Sequence, residues 1–358
     1  MRVRLEEVCK RIYAGGDVPK DRYSEVMTEE YSVPIYANAE KDNGLYGYTD
    51  KAREEELSIT VAARGTIGFT AIRREPFFPV VRLITVVPDI EKVSERYLYY
   101  VLKNCKPQSS GTSIPQLTIP DIKKNSLELY SISKQESIAN QLDKVNRVIE
   151  LRKQELNSLD CIIKARFVEM FGNPVINEKR WKQKMLGEIT TKIGSGATPK
   201  GGKGAYQEEG ITLIRSMNVH NGLFEYKELA HISDEQAAKL DNVAIEENDV
   251  LLNITGASVA RSCVVPSKIL PARVNQHVCI IRCKECIIPE FLNKLLINNN
   301  YQDLLWSIAG AGATREAITK QQVESLQIIM PPIELQNEFM RFCNQVDKSK
   351  VVMQKVLE

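Results

Sequence analysis

The stretch GSGATPKGGKGAY, residues 194–206, places five glycines and two lysines within thirteen residues. Glycine brings backbone N–H groups close to a ligand and lysine adds positive charge, which together make the chemistry of a phosphate cradle. A nucleotide-binding P-loop requires G-x-x-x-x-G-K-[ST], whose final hydroxyl holds Mg²⁺. The only Gly-Lys pair here is Gly202-Lys203. Ala197 stands five positions before Gly202, and Gly204 replaces the hydroxyl residue. The dinucleotide pattern G-x-G-x-x-G fails as well, because Gly194 and Gly196 are followed by Pro199. Two required patterns therefore fail, and a nucleotide-binding enzyme using residues 194–204 is the weaker alternative.

Cysteine offers a second chemistry. Cys279, Cys283 and Cys286 lie close together, the last two as CxxC, with Cys263 and His277 nearby. A structural zinc site needs a second CxxC or a regularly spaced histidine pair, and neither is present. No metal site is expected. Eight scattered cysteines in 358 residues fit free thiols in a reduced, cytoplasmic setting. No apolar run approaches the 18 residues of a membrane span, and MRVRLEEVCKR has no signal-peptide core. With a formal net charge of +2, any nucleic-acid surface has to come from local patches.

The chain is written twice. Residues 111–145 align without gaps, at an offset of 201, with residues 312–346. Gly111 meets Gly312, Leu117 meets Ile318, Ile122 meets Val323, Leu127 meets Ile328 and Gln135 meets Gln336. Further back, ERYLYYVLKN (95–104) matches PEFLNKLLIN (289–298) at an offset of 194. Near the start, LEEVCKRIYAGG (5–16) resembles LGEITTKIGSG (186–196). Matched blocks with changing offsets describe one fold with different loops. Runs such as LSITVAARGTIGFTAI and DVLLNITGASVARSCVV mix with helical stretches without a βαβ rhythm, which predicts α+β.

Each copy ends in a helix. Alternating steps of four and three from Ile138 give Leu142, Val145, Ile149, Arg152, Leu156, Leu159, Ile163, Arg166 and Met170, a heptad seam. Gly172 and Asn173-Pro174 stop it. The second helix continues the register through Phe339, Cys343, Val346, Lys350, Met353 and Leu357. The two seams predict an antiparallel coiled coil. The stretch from Lys134 to Phe171 spans roughly 57 Å at 1.5 Å per residue, a ruler between two similar units. The expected layout is a first domain over 1–131, a spacer helix over 132–172, a second domain over 173–332 and a C-terminal helix over 333–358.

Two similar units on a ruler suit a ligand with two sites at fixed spacing, and duplex DNA is the commonest one. Here the chain resembles the specificity (S) subunits of type I restriction-modification systems. The resemblance runs through IGSGATPKGG, GITLIRSMNVHNGLF, DVLLNITGASVARSCVV, VNQHVCIIR, MPPIELQNEF and FVEMFGNP, and in the first copy through YGYTDKA, ARGTIG, FFP and SSGTSIPQLTIPDIK. It implies two target recognition domains, each a small twisted sheet with flanking helices, in a pseudo-two-fold arrangement. Each domain reads half of a bipartite DNA target. The helices set the gap and dock two methyltransferase subunits, with restriction subunits joining later. The chain itself is implied to be non-catalytic, with AdoMet, ATP and Mg on the partners. In agreement, Asn173-Pro174 continues as Val175-Ile176 and not as the N-P-P-[FY] of amino-methylation. Two departures stand out. Pro331-Pro332 precede the second helix where Tyr130-Ser131 precede the first. The second helix also stops after about three and a half heptads. Either the chain is cut short, or another subunit completes the pair.

Candidate DNA contacts follow from side-chain chemistry. Lys200 and Lys203 suit phosphate, and Thr198 adds a hydroxyl. Arg215, Ser216 and Asn218 offer donors and acceptors for base edges. Thr255, Ser258 and Arg261 read as a loop rim, Asn275 and Gln276 open a strand, and Thr314 and Arg315 follow the loop GAGA. The first copy contributes Tyr36, Asn38, Asn43, Arg64, Thr66, Ser113 and Gln116. His277 is expected to be packed or hydrogen-bonded, not to read bases. A stand-alone DNA-binding or assembly protein is the other alternative.

Overall fold

The repeats in the sequence become repeats of structure. The computed structural model describes residues 1–105, 116–198, 202–310 and 316–354. The first copy comprises β1 (Arg2–Arg4), β2 (Cys9–Ala14), β3 (Val33–Tyr36), β4 (Leu45–Thr49), β5 (Ser58–Val61), β6 (Thr70–Arg73), β7 (Phe78–Pro79), β8 (Ile84–Pro88), α1 (Glu95–Lys103), α2 (Ile119–Lys124), β9 (Ser126–Glu128) and α3 (Ile132–Phe171). The second comprises β10 (Gln183–Met185), β11 (Thr190–Ser195), β12 (Ile211–Ile214), β13 (Val219–His220), β14 (Leu223–Phe224), β15 (Ala230–Ile232), α4 (Asp234–Ala238), β16 (Val250–Asn253), β17 (Ser262–Val264), β18 (Ala272–Val274) and β19 (Val278–Cys283). It closes with α5 (Pro289–Leu296), α6 (Asn299–Gly310), α7 (Lys320–Glu324), β20 (Gln327–Ile329) and α8 (Ile333–Gln354).

Strand order is the same in both copies. A four-stranded sheet β2-β8-β5-β6 recurs as β11-β19-β16-β17, and a three-stranded sheet β4-β3-β7 recurs as β15-β12-β18. In each three-stranded sheet one pair is parallel, β3 with β7 and β12 with β18. The small ribbons β1-β9 and β10-β20 also correspond. The central strand β5 is buried at every position, as is β16. VLLN reads as an almost continuous apolar run because its strand is covered on both faces, whereas SITV keeps its alternation and buries the small polar side chains of Ser58 and Thr60 as well. The α+β, duplicated architecture expected from the sequence is present.

A buried glutamine closes each copy onto its terminal helix. Gln135 Oε1 accepts from Ser94 N (2.9 Å), while its Nε2 donates to the carbonyls of Lys92 and Tyr130. Gln336 repeats this with Ile288 N (3.0 Å) and the carbonyls of Pro331 and Cys286. Both are fully buried. Ser94 and Ile288 are the N-caps of α1 and α5, so each glutamine satisfies a helix-start donor that has no partner within its own helix.

The chain divides into two compact units, 1–151 and 152–358, with the boundary inside α3. The spacer helix is thus shared between the units and is not a body of its own. Its second half packs antiparallel to α8, with Arg166 paired to Glu338 and Lys350 to Asp160. The apolar contact is aromatic: Phe167 and Phe171 meet Phe339 at 5.5 Å and Phe291 of α5 at 6.1 and 5.0 Å. The heptad walk named Ile163, Arg166 and Met170 but missed Phe167 and Phe171. The helix faces a globular core as well as a partner helix, so its buried stripe is broader than a two-residue seam. The expected seam fails in the first half, where Leu142 and Val145 are exposed, as are Val148 and Leu151. Seam residue Leu357 lies outside the described residues. Among the described residues, no helix is long and apolar enough to cross a membrane.

Candidate nucleic-acid interface

In the second copy, the ends of β12, β16 and β18 bring three loops to one rim. Ser216, Met217, Thr255, Gly256, Ala257, Ser258, Arg261 and His277 line a shallow depression of about 400 Å³. The fully buried Asn253 sits beneath it and joins two of the loops. Its Nδ2 donates to Ser216 O (2.8 Å) and Ser258 Oγ (3.2 Å). Asn253 Oδ1 is buried without a partner among the described residues.

A chain of polar side chains crosses the rim. Thr198 Oγ1 donates to Gln276 Oε1, and Gln276 Nε2 lies 3.1 Å from His277 Nε2. Thr255 Oγ1 lies 2.5 Å from His277 Nδ1. The His277 ring thus links the Gln276 amide to the Thr255 hydroxyl across the rim. Arg261 makes no side-chain hydrogen bond or ion pair among the described residues, so its full donor set is available there.

The first copy builds a corresponding rim around Asn38. Its Oδ1 accepts from Ala63 N (2.7 Å) and its Nδ2 donates to Val81 O. Arg64, exposed, donates from Nε to Gln116 Oε1 (2.8 Å). Thr66 lines a separate depression with Glu40, Tyr99 and Lys103.

The structure thus gathers Ser216, Thr255, Ser258 and Arg261 around one depression, flanked by Thr198 and Gln276, and places Arg64 beside Gln116. Other expected contacts are braces. Tyr36 is 8% exposed, with the Arg73 guanidinium 3.6 Å from its ring centroid, and burial pushes its phenol pKa up. Asn218 is fully buried, accepting from Arg215 N and donating to the carbonyls of Glu225 and Lys227. Asn275 is buried and its side chain accepts from His277 N. These three are internal, because a polar residue at a strand end satisfies backbone groups of the neighbouring loop before it can reach a ligand. Arg215 is half-buried, held over Tyr206 and donating to Glu228 O. Asn43 is exposed in a left-handed turn, and its carbonyl holds Arg73. Lys200, Ser113, Thr314 and Arg315 lie outside the described residues, as does the Lys203 side chain. Sequence reasoning missed Met217 and Asn253. A polar residue closing the apolar run VLLN was the available signal for Asn253.

The glycine-rich stretch has a structural cause. A Cβ on Gly196 would stand 1.7 Å from Val274 O. Its counterpart Gly15 would meet Pro79 O at 2.5 Å. In each copy the chain leaving the first strand of the four-stranded sheet crosses β18 or β7 so closely that no side chain fits. Gly194 has open space around it.

Cys279 is buried and Cys286 exposed, and among the described residues no three His, Cys, Asp or Glu side chains are grouped to hold a metal ion. Burial pushes the thiols of Cys263, Cys279 and Cys283 up to about 12.

Comparison with known proteins agrees with this geometry. A putative type I specificity subunit of Mycoplasma pneumoniae is 34% identical over 165 residues, 43% of this chain and 49% of that protein. A second from the same organism is 33% identical over 164 residues, 43% of this chain and 45% of the relative. The match thus spans about half the length of these relatives. The MjaIX type I restriction enzyme specificity subunit of Methanocaldococcus jannaschii is 25% identical over 358 residues, covering 91% of this chain and 79% of that one. Two solved structures share the fold. One, from a study of complex assembly and conformational transition of the type I R-M system, aligns with a TM-score of 0.61 at 17% identity over 99% of this chain and 93% of its own. The other, the S subunit of the type I system from M. genitalium, gives 0.52 at 16% identity over 100% and 91%. The family described as type I restriction modification DNA specificity domain matches residues 1–160 and again 178–357, so the chain belongs to that family.

Proposed function

We propose that the chain is the DNA sequence-specificity subunit of a type I restriction-modification complex. Each copy reads one half of a bipartite duplex target. α3 and α8 set the unspecified gap between the halves and dock two methyltransferase subunits, which restriction subunits join. The chain is non-catalytic and works in the cytoplasm. AdoMet, ATP and Mg are carried by the partner subunits, which supply methylation, ATP hydrolysis and cleavage.

The observation that carries this reading is the recurrence of one sheet pair with a polar loop rim at equivalent strand ends. A rim built from a threonine hydroxyl, a glutamine amide and an arginine with no side-chain partner among the described residues has the donors and acceptors that base edges require. The test is co-expression with the cognate modification subunits, followed by mapping of methylated adenines. A bipartite motif with one fixed gap is expected. Purification of a stable, sequence-selective chain that never associates with a methyltransferase would instead make it a stand-alone DNA-binding protein.

A further inference from the structure

The connection from β7 to β8 in the first copy carries a backbone that its residues do not favour. Leu83 N donates to Val80 O (3.0 Å), and the two central residues, Val81 and Arg82, have φ of 52° and 62°. This is the backbone of a type I′ turn, where Asn-Gly is the natural pair. Valine is poorly suited to it, because its branched Cβ crowds the adjacent carbonyl in the left-handed region. The turn is fixed from both sides. Val81 N donates to Gly16 O (2.8 Å), and Val81 O accepts from the Asn38 side chain.

An Asn-Gly pair would meet the same backbone demands with less strain, so what Val-Arg adds is its side chains. Val81 is 51% exposed. Arg82 is exposed and makes no hydrogen bond or ion pair among the described residues. The turn is anchored on Asn38 through Val81 O, and the other amide atom of Asn38 holds Ala63 next to Arg64. The equivalent connection in the second copy, β18 to β19, places exposed Gln276 in the rim. Strain kept at an exposed, over-determined turn is the pattern of a functional site.

We propose that the Val81–Arg82 turn is a base-reading finger of the first domain, resting on the specificity reading above. Val81 packs against a thymine 5-methyl group in the major groove. Arg82 donates to O6 and N7 of a guanine in the adjacent base pair.

The test is the double variant V81N/R82G, which keeps the turn and removes both side chains. The full chain and its variant, each assembled with the cognate modification subunits, are selected against random duplex DNA, and the thermal midpoints of the two chains are compared. The variant is expected to melt at or above the parent's temperature. Discrimination at one or two base pairs of one half-site should fall about tenfold or more, with the other half-site unchanged. Discrimination retained at every position, or a variant that melts below the parent, would overturn the proposal. A parent that selects no sequence contradicts the specificity reading itself, and that result is read before the variant is made.

Discussion

Gly194 and Gly196 stand two residues apart and have opposite requirements. Alanine at 196 would drive a Cβ into Val274 O, so Gly196→Ala should cost roughly 3 kcal/mol or more. Gly194→Ala meets open space in a strand and should leave stability unchanged or raise it by about 0.5 kcal/mol. Chemical denaturation of the two variants separates them. A loop built for phosphate would lose ligand binding in both and fold in both. Arg261, with no partner among the described residues, should behave differently again. Arg261→Ala should preserve the melting temperature and lower DNA affinity, with the slope of log K against log salt falling by about 0.9 if its contact is a phosphate. Thiol reactivity tests the burial of the cysteines. At pH 8 the thiols of Cys263, Cys279 and Cys283, raised to about 12 by burial, stay protonated and should resist alkylation, while exposed Cys161 and Cys286 react. Mass spectrometry after brief native labelling reads this directly. Residue identity was the least legible part of the site. Asn218, Asn275 and Tyr36 carry the same side chains whether they brace a turn or face a ligand, and only burial distinguishes the two.

The elements were more legible, because periodicity and punctuation repeat. The offset of 201 that aligned Gln135 with Gln336 also aligns α2 with α7, β9 with β20, and the start of α3 with that of α8. It could not show that the glutamines are buried braces between a helix start and a terminal helix. Removing one leaves several buried backbone groups unpaired. Gln135→Ala and Gln336→Ala should therefore each cost about 3 kcal/mol, seen as faster hydrogen exchange at α1 and α5 respectively. Equal protection in variant and parent would show that these bonds are dispensable. The register of the long helix was only half legible. A strict heptad describes two helices meeting each other alone, and Phe167 and Phe171 also meet Phe291. The first-half residues Leu142 and Val145 satisfied the pattern but stay exposed.

At the scale of the molecule, duplication is the central fact. Two copies of one sheet pair present polar rims from corresponding loops, yet among the described residues the rims carry different sets of side chains. Thr198, Thr255, Arg261 and Gln276 belong to the second copy and Arg64 and Gln116 to the first, to which the proposed finger adds Val81 and Arg82. Common frames with different rims are what a reader of two unlike half-sites needs. The measurement that tests this most directly is the map of methylated adenines in cells expressing the chain with its cognate modification subunits. The account predicts two different half-sites separated by a constant unspecified gap, with Arg261→Ala altering recognition at only one of them. Methylation at a single continuous motif, or at half-sites whose spacing varies, would contradict it.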